Sequence, residues 1–205
     1  MAEKKLIERQ DLDAFLGRLS QIEGRRLHSI RESERPDFIV TFGGAPVGVE
    51  TTRTVYQECA RVLKMQASKH PDQWVNLTHL VDGRPRRTNS ELARSMGANA
   101  LLQPWKPVKQ AMLDWKQKVA FALNSKRQKL GQAGYQVLGE NWLLIHDIPP
   151  LTLDGFTRPL VFQHLGCILS QPLTTRRDFE KIFIHSGAWL FRWCQGTLEV
   201  AGPPG

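Results

Sequence analysis

The feature that most restricts the fold of this chain is a pair of β-type segments separated by two glycines. The segments DFIVTF (37–42) and VGVETT (47–52) are rich in β-branched and aromatic residues. Between them lies Gly43-Gly44-Ala45-Pro46, and glycine and proline are the residues that tight turns favour. The pattern predicts a β-hairpin.

The geometry of a hairpin decides which polar side chains can meet. If the turn contains an even number of residues, either Gly44-Ala45 or 43–46, Phe42 pairs with Val47, and Asp37 then lies opposite Thr52. Because side chains alternate along a strand, Asp37, Glu50 and Thr52 would share one face. Asp37 and Glu50 would be diagonal neighbours, with Cα atoms on the order of 7 Å apart. An odd turn would send the two acids to opposite faces.

Two carboxylates on one face are a minimal site for a hard divalent cation. Hydrolysis of a phosphodiester needs a positioned hydroxide and neutralised charge on the phosphoryl group, and Mg2+ or Mn2+ held by carboxylate oxygens provides both. The backbone carbonyl of Thr51 would add a third oxygen. The alternative is a solvated hairpin in which Asp37 caps a strand and Glu50 pairs with Arg35 or Arg53.

Helical and strand periodicities flank the hairpin. Helices are predicted over 9–23, 54–67 and 105–130, with Ser90 as the N-cap of a further short helix. Strands are predicted over 74–81, 142–148, 181–185 and 189–194. The segment 151–178 is ambiguous. This mixture of helices and strands around a central sheet indicates an α/β or α+β sandwich, and the length favours a single domain over 1–205.

Charge and composition narrow the class of partner. The 205 residues carry a net charge of +8, which attracts polyanions, and nucleic acid is the commonest of these. No apolar run reaches the roughly 20 residues of a membrane-spanning helix, and the charged N-terminus lacks the apolar core of a secretion signal. The three cysteines lie far apart without a CxxC pair, which is typical of a cytoplasmic protein with buried free thiols.

The loop DGRPRRTNS (82–90) is a second basic feature. Arg84, Arg86 and Arg87 place three guanidinium groups around Pro85, and the planar fork of arginine matches phosphate oxygens. We expect this loop either to contact a nucleic-acid backbone or to be a solvated basic loop.

The hairpin and its surroundings resemble the PD-(D/E)XK superfamily of restriction-endonuclease-like nucleases. The residues that carry the resemblance are Glu34-Arg35-Pro36-Asp37-Phe38 and Glu50-Thr51-Thr52, with twelve residues between Asp37 and Glu50. The resemblance covers residues 10–85, and the remainder only by element order. It implies an α/β, restriction-endonuclease-like core with a mixed central β-sheet flanked by helices. It also implies that Asp37 and Glu50 bind magnesium.

The chain departs from this family at one position. Where the family has a lysine that orients the attacking water, two residues after the glutamate, this chain has Thr52, which can donate a hydrogen bond but carries no charge. The resemblance then implies a polar or charged replacement elsewhere, and an accessory acid from the first helix. The candidates are Arg53, Lys64 and Gln57 for the replacement, and Glu23 or Asp13 for the acid.

Three functions are compatible with these residues. The first, which the resemblance implies, is a Mg2+-dependent endonuclease that cleaves DNA rather than RNA in a defence or mobile-element setting, with a homodimer as one way to cut both strands. The second is a nuclease-fold module that no longer cleaves and binds nucleic acid or a protein partner, and Thr52 favours this alternative. The third is a protein-binding immunity or assembly factor.

Overall fold

The computed structural model describes residues 2–23, 26–54, 57–69, 87–97, 108–147, 157–170 and 177–202. The helices are α1 (Ala2–Glu23), α2 (Gln57–Lys69), α3 (Asn89–Gly97), α4 (Val108–Leu130) and α5 (Thr157–Leu169). The strands are β1 (Leu27–Glu32), β2 (Phe38–Phe42), β3 (Ala45–Arg53), β4 (Glu140–His146), β5 (Lys181–Ser186), β6 (Trp189–Cys194) and β7 (Thr197–Ala201). The strand predicted over 74–81 lies outside the described residues.

The strands of the described residues form one seven-stranded sheet in sequence order, from β1 at one edge to β7 at the other. The central pairs β3–β4 and β4–β5 are parallel, and the outer pairs are antiparallel. Helices connect the parallel neighbours, as parallel pairing requires a crossover, whereas short connections join the antiparallel ones. The prediction of an α/β protein with a mixed central sheet is confirmed.

The central hairpin consists of β2 and β3 around a two-residue turn. Gly43 and Gly44 have φ values of 57° and 91°, a left-handed geometry that glycine adopts without strain and that suits the twist of a hairpin. Phe42 therefore pairs with Ala45. The predicted pairing of Phe42 with Val47 is wrong by two residues, because the strands close directly on the glycine pair. An even shift leaves every side chain on its expected face.

One face of the sheet packs against α1. Residues at i, i+3 and i+7 of this helix, Leu12, Phe15 and Leu19, are buried and point at the same side. The sheet contributes alternate residues, so that the ring of Phe15 lies 4.8 Å from that of Phe183. The strand residues of this core are Phe38, Val40, Phe42, Val47, Val49, Trp142, Leu144, Phe183 and Leu190.

The opposite face of the sheet is also covered. Leu143 and Ile145 alternate with the α1-facing residues of β4, and both are fully buried. The ring of Phe162 on α5 lies 6.2 Å from that of Phe191 on β6, which places α5 on this second face. A sheet buried on both faces explains why β4 is a continuous apolar run.

The two outermost strands and one helix cap differ from the sequence expectations. No strand was expected at β1 (LHSIRE) or β7 (TLEVA). All residues of these edge strands are partly or fully exposed, β1 has no apolar alternation, and the alternation in β7 is limited to Leu198 and Val200. Ser90 is not an N-cap. Thr88 caps α3 instead: its hydroxyl accepts from the N–H of Glu91, and its own N–H donates to the Glu91 carboxylate at 2.6 Å.

The cysteines are free thiols, but they differ in burial. Cys59 is buried, Cys194 is half-buried and Cys167 is exposed. The expectation of uniformly buried thiols is therefore wrong for Cys167, because it lies on the face of α5 away from the buried Leu165 and Ile168.

The chain divides into two compact units. Unit 1 contains Met1–Thr54 and Val119–Gly205, and therefore the whole sheet with α1, α5 and the second half of α4. Unit 2 contains Val55–Lys118, with α2, α3 and the first half of α4. Within the described ranges, no helix is both long and apolar enough to cross a membrane.

Candidate functional site

Asp37 and Glu50 lie beside each other on the sheet face opposite α1. Asp37 directly precedes β2, and continuing the register one residue beyond the Phe38–Val49 pair places it opposite Glu50. Directly opposed residues have Cα atoms about 4.5–5.5 Å apart, closer than the diagonal arrangement that was expected. Both residues are buried, Asp37 with 3% and Glu50 with 0% exposure. Two adjacent buried carboxylates require positive partners to stay charged.

Two lysines of α4 provide those positive partners. The Lys126 ammonium donates to Glu50 Oε1 at 2.6 Å and lies 3.6 Å from Asp37 Oδ2. The Lys129 ammonium also donates to Glu50 Oε1, and it lies 3.7 Å from Asp37 Oδ1. The i,i+3 spacing puts both lysines on one face of the helix. These four side chains form a charge-balanced group, which we call the Asp37–Glu50 cluster.

Tyr135, in the segment after α4, completes the surroundings of Glu50. Its hydroxyl lies 3.4 Å from Glu50 Oε2 and donates to it. Burial, followed by the negative charges of Glu50 and Asp37, raises the pKa of Tyr135, so the hydroxyl keeps the proton that it donates. Tyr135 therefore orients the second oxygen of Glu50 while the lysines hold the first.

Asp37 is held in its charged form. Burial alone would raise its pKa, but the Lys126 ammonium, the Thr51 backbone N–H and the Lys129 ammonium outweigh burial and hold the pKa below its ordinary value. The Thr51 N–H donates to Asp37 Oδ2 at 2.8 Å, and the Thr51 hydroxyl contacts the same oxygen at 3.2 Å. Oδ2 of Asp37 is thus fixed by β3 itself.

Gly48 allows the chain before β2 to come close to β3. A Cβ atom at this position would lie 2.9 Å from Cγ of Pro36 and 2.9 Å from Oδ1 of Asn141. Asn141 cannot move away freely, because its amide accepts from the N–H of Leu138 and donates to the Leu138 carbonyl. Since Pro36 directly precedes Asp37, the absence of a side chain at Gly48 helps to position the acid.

A cavity of about 380 Å3 opens next to Lys126. Helix α1 lines it with Ile7, Glu8 and Asp11, and the end of β3 lines it with residues 51–53. Glu8 and Asp11 are buried acids, with 8% and 5% exposure. The first helix therefore does bring carboxylates towards the cavity, but these are not the acids that the resemblance suggested.

Arg53 is bound to Asp11, and both residues line this cavity. Its Nε and Nη2 atoms donate to the two Asp11 oxygens, each at 2.7 Å, in a bidentate pair. His146 Nδ1 lies 3.7 Å from Asp11 Oδ1, but burial lowers the pKa of His146 and keeps the imidazole neutral. The Asp11 carboxylate is consequently paired with Arg53 and not with a charged histidine.

The other candidates from the sequence are dispersed. Thr52 is half-buried and lines the cavity. Asp13 is exposed and pairs with Arg9 at 2.9 Å on the outside of α1. Lys64 is exposed on α2 in unit 2. Glu23 ends α1 and Gln57 begins α2, and their side chains lie outside the described ones.

The basic loop is described only at its end. Arg84 and Arg86 lie outside the described residues. Arg87 is half-buried, and its carbonyl accepts from Nη1 of Arg61 at 2.7 Å. The role of this loop in nucleic-acid binding stays a prediction.

Sequence pattern alone does not point to the two lysines of the Asp37–Glu50 cluster. They are separated from Glu50 by 76 and 79 positions, and α4 carries several other basic residues around its circumference. Their i,i+3 spacing marks a helix face, but nothing in the sequence shows which strand that face meets. Only the sheet order, with β3 beside β4, brings the end of α4 to the hairpin.

The carboxylate oxygens of Asp37 and Glu50 suit a hard cation that takes few ligands from the protein. Within the described ranges, no group of three or more His, Cys, Asp or Glu side chains is arranged to hold a metal. Mg2+ in nucleotide-processing sites often needs only one or two carboxylates, with waters and substrate phosphates as the other ligands. Asp37 and Glu50 meet that requirement, although Lys126 and Lys129 already engage Oε1 of Glu50.

Comparison of the chain with protein-family models, with curated proteins and with solved structures finds no match.

Proposed function

We propose that this protein is a Mg2+- or Mn2+-dependent nuclease with a restriction-endonuclease-like core that hydrolyses phosphodiester bonds of DNA. The observation that carries the proposal is the buried pair Asp37 and Glu50, which is contacted by Lys126 at the edge of a cavity. The order of a helix, an antiparallel hairpin and a parallel strand reached through helices supports the assignment of the core. The net charge of +8 supports a polyanionic substrate.

The roles of the residues follow from their chemistry. Asp37 and Glu50 would hold the cation, with the Thr51 carbonyl as a further oxygen. A cation held there would supply an activated water and neutralise charge on the phosphoryl group. Lys126 faces both the acids and the cavity, so it supplies the positive charge that Thr52 lacks. The Thr52 hydroxyl, in the same cavity, donates a hydrogen bond to water or phosphate.

Plasmid cleavage in the presence of Mg2+ or Mn2+ tests the proposal. Glu50→Gln keeps the shape of the side chain and removes its charge, and Glu32→Gln is a matched control on the exposed strand β1. We expect cleavage to fall at least about a hundredfold in Glu50→Gln, because several kcal/mol of charge stabilisation depend on the cation. Glu32→Gln should cleave at the wild-type rate. Metal-dependent cleavage that persists in Glu50→Gln would contradict the proposal.

A second variant tests the role of Lys126. Lys126→Met removes the ammonium that lines the cavity, whereas Lys109→Met removes an exposed lysine from the other end of the same helix. We expect a large loss of the cleavage rate only in the first variant. Circular dichroism spectra of both variants show whether the fold is retained.

The charge balance of the Asp37–Glu50 cluster favours a second candidate function. Two carboxylates paired with two ammonium groups are stable without any ion, as in a module that has kept the fold and lost cleavage. Such a module would bind a DNA duplex in fluorescence anisotropy but would not cleave plasmid with either metal. If the protein neither binds nor cleaves DNA, the remaining ligand of such a module is a protein partner.

A further inference from the structure

Unit 2 carries an open groove that the proposed cleavage chemistry does not use. The groove has a volume of about 430 Å3 and lies between α2 and α3. Arg61, Lys64 and Lys69 lie along its α2 wall, and Asn89 and Ser90 lie on its α3 wall. None of the described residues that line it is acidic. We call it the α2–α3 groove.

Arg61 joins the two walls without losing its charge. Its Nε atom donates to the side-chain oxygen of Asn89 at 2.8 Å, and its Nη1 atom donates to the carbonyl of Arg87 at 2.7 Å. Both acceptors are neutral, so they orient the guanidinium but do not neutralise it. Arg61 is thus a fixed positive charge in the groove.

The two lysines add mobile positive charge. Lys64 and Lys69 are exposed, and neither forms an ion pair within the part of the chain that the structure describes. From Arg61 to Lys69 the helix advances about 12 Å, at 1.5 Å per residue. Phosphates of one DNA strand follow each other every 3.4 Å of duplex axis, so this row of cations spans several of them.

We propose that the α2–α3 groove binds the sugar–phosphate backbone of a nucleic acid. Backbone contacts are made by lysine, arginine, asparagine and serine side chains, which are the polar groups of these walls. The anchors of protein–protein interfaces are mostly tryptophan, tyrosine and arginine in desolvated pockets; the described residues of this open groove include no aromatic side chain, and their apolar ones are Met65 and Ala93. Because the groove lies in unit 2 and requires no metal, it stands independently of the Asp37–Glu50 cluster.

Duplex binding in EDTA tests this proposal without any contribution from metal-dependent cleavage. A fluorescein-labelled duplex is titrated with wild type, with Lys64→Gln/Lys69→Gln and with a control, Arg26→Gln/Arg31→Gln. All four positions are exposed, and each double variant loses two positive charges. We expect the groove variant to bind about tenfold more weakly at moderate salt. The slope of log K against log salt should become shallower by about 1.8, since each phosphate contact contributes about 0.9.

The control variant distinguishes an effect of the groove from an effect of net charge. Arg26→Gln/Arg31→Gln should change the slope by less than half as much as the groove variant. Equal effects of the two double variants, or wild-type binding by the groove variant, would overturn the proposal. It is also overturned if wild type binds poly-glutamate but no duplex. Cleavage assays on Glu50→Gln report on the Asp37–Glu50 cluster separately, so the two proposals can fail independently.

Discussion

Replacing Lys129 by methionine distinguishes a metal centre from a structural charge cluster. Lys129 and Lys126 both donate to Oε1 of Glu50, but only Lys126 lines the cavity. A cation bound by Asp37 and Glu50 must therefore compete with the Lys129 ammonium. Methionine keeps a similar length and apolar stem, and it leaves Lys126 and Tyr135 in contact with Glu50.

The expected size of the effect follows from the distances. Lys129 Nζ lies 3.7 Å from Asp37 Oδ1, so it would be about 5 Å from a divalent cation held between the acids. At an effective dielectric constant of about 20, that repulsion would amount to about 7 kcal/mol. The side chain is 27% exposed and can swing into water, which relieves most of this repulsion. We therefore expect Mn2+ to bind about tenfold more tightly to the variant, or ~1.4 kcal/mol.

Electron paramagnetic resonance of free Mn2+ gives the dissociation constants directly. Lys109→Met, an exposed substitution on the same helix, is the matched control and should retain the wild-type constant. A Lys129→Met constant equal to that of wild type would refute the competition. Absence of binding in all three proteins would show that the two acids form a purely structural cluster with their lysines.

Three further predictions concern stability. Gly44→Ala should lower the free energy of unfolding by about 1–2 kcal/mol, because φ is +91° at this position. Gly17→Ala should raise it by about 0.5–1 kcal/mol, because alanine favours the helix and its Cβ would meet no other atom there. Urea unfolding measures both effects. Gly48→Ala should lower the unfolding free energy and, if the cleavage proposal holds, the cleavage rate as well, since its Cβ would meet a proline ring and an amide oxygen at 2.9 Å; cleavage at the wild-type rate would show that this packing does not position the acid. Burial lowers the pKa values of His146 and His185; neighbouring positive charge adds to this at His185, whereas Asp11 partly opposes it at His146. The unfolded chain therefore binds protons first as pH falls below about 6.5, and stability present at pH 7 is lost by at most about 1.4 kcal/mol per pH unit for each imidazole. Urea midpoints at about pH 7.5 and 5.5 should differ less in His185→Gln than in wild type.

The hairpin shows how far local pattern reaches. The alternation of DFIVTF and VGVETT and the glycine pair were sufficient to predict two paired strands, because side-chain period and turn chemistry are local properties. The register was missed by two residues, because both expected turns, Gly44-Ala45 and 43–46, are centred one residue later than the observed turn at Gly43-Gly44. The face shared by Asp37 and Glu50 did not depend on that difference, because parity alone decides it.

The edge strands show where the pattern fails. β1 and β7 are largely exposed, so their formation depends on hydrogen bonding to β2 and β6 rather than on burial of an apolar face. Their residues consequently carry little of the alternation that marks buried strands. In the same way, Thr88 rather than Ser90 caps α3 because the Glu91 side chain reaches back to it.

The sequence by itself therefore determined an α/β protein with a central hairpin and an aspartate and a glutamate on one of its faces. Only the tertiary structure decided what surrounds these acids: Lys126, Lys129 and Tyr135 from the end of α4 and beyond, and a cavity lined by Glu8, Asp11 and Arg53. The physical reason is separation along the chain. The face of a hairpin on which a residue lies depends only on its neighbours in the sequence. The lysines, in contrast, lie 76 and 79 positions from Glu50 and reach it through the parallel pairing of β3 with β4.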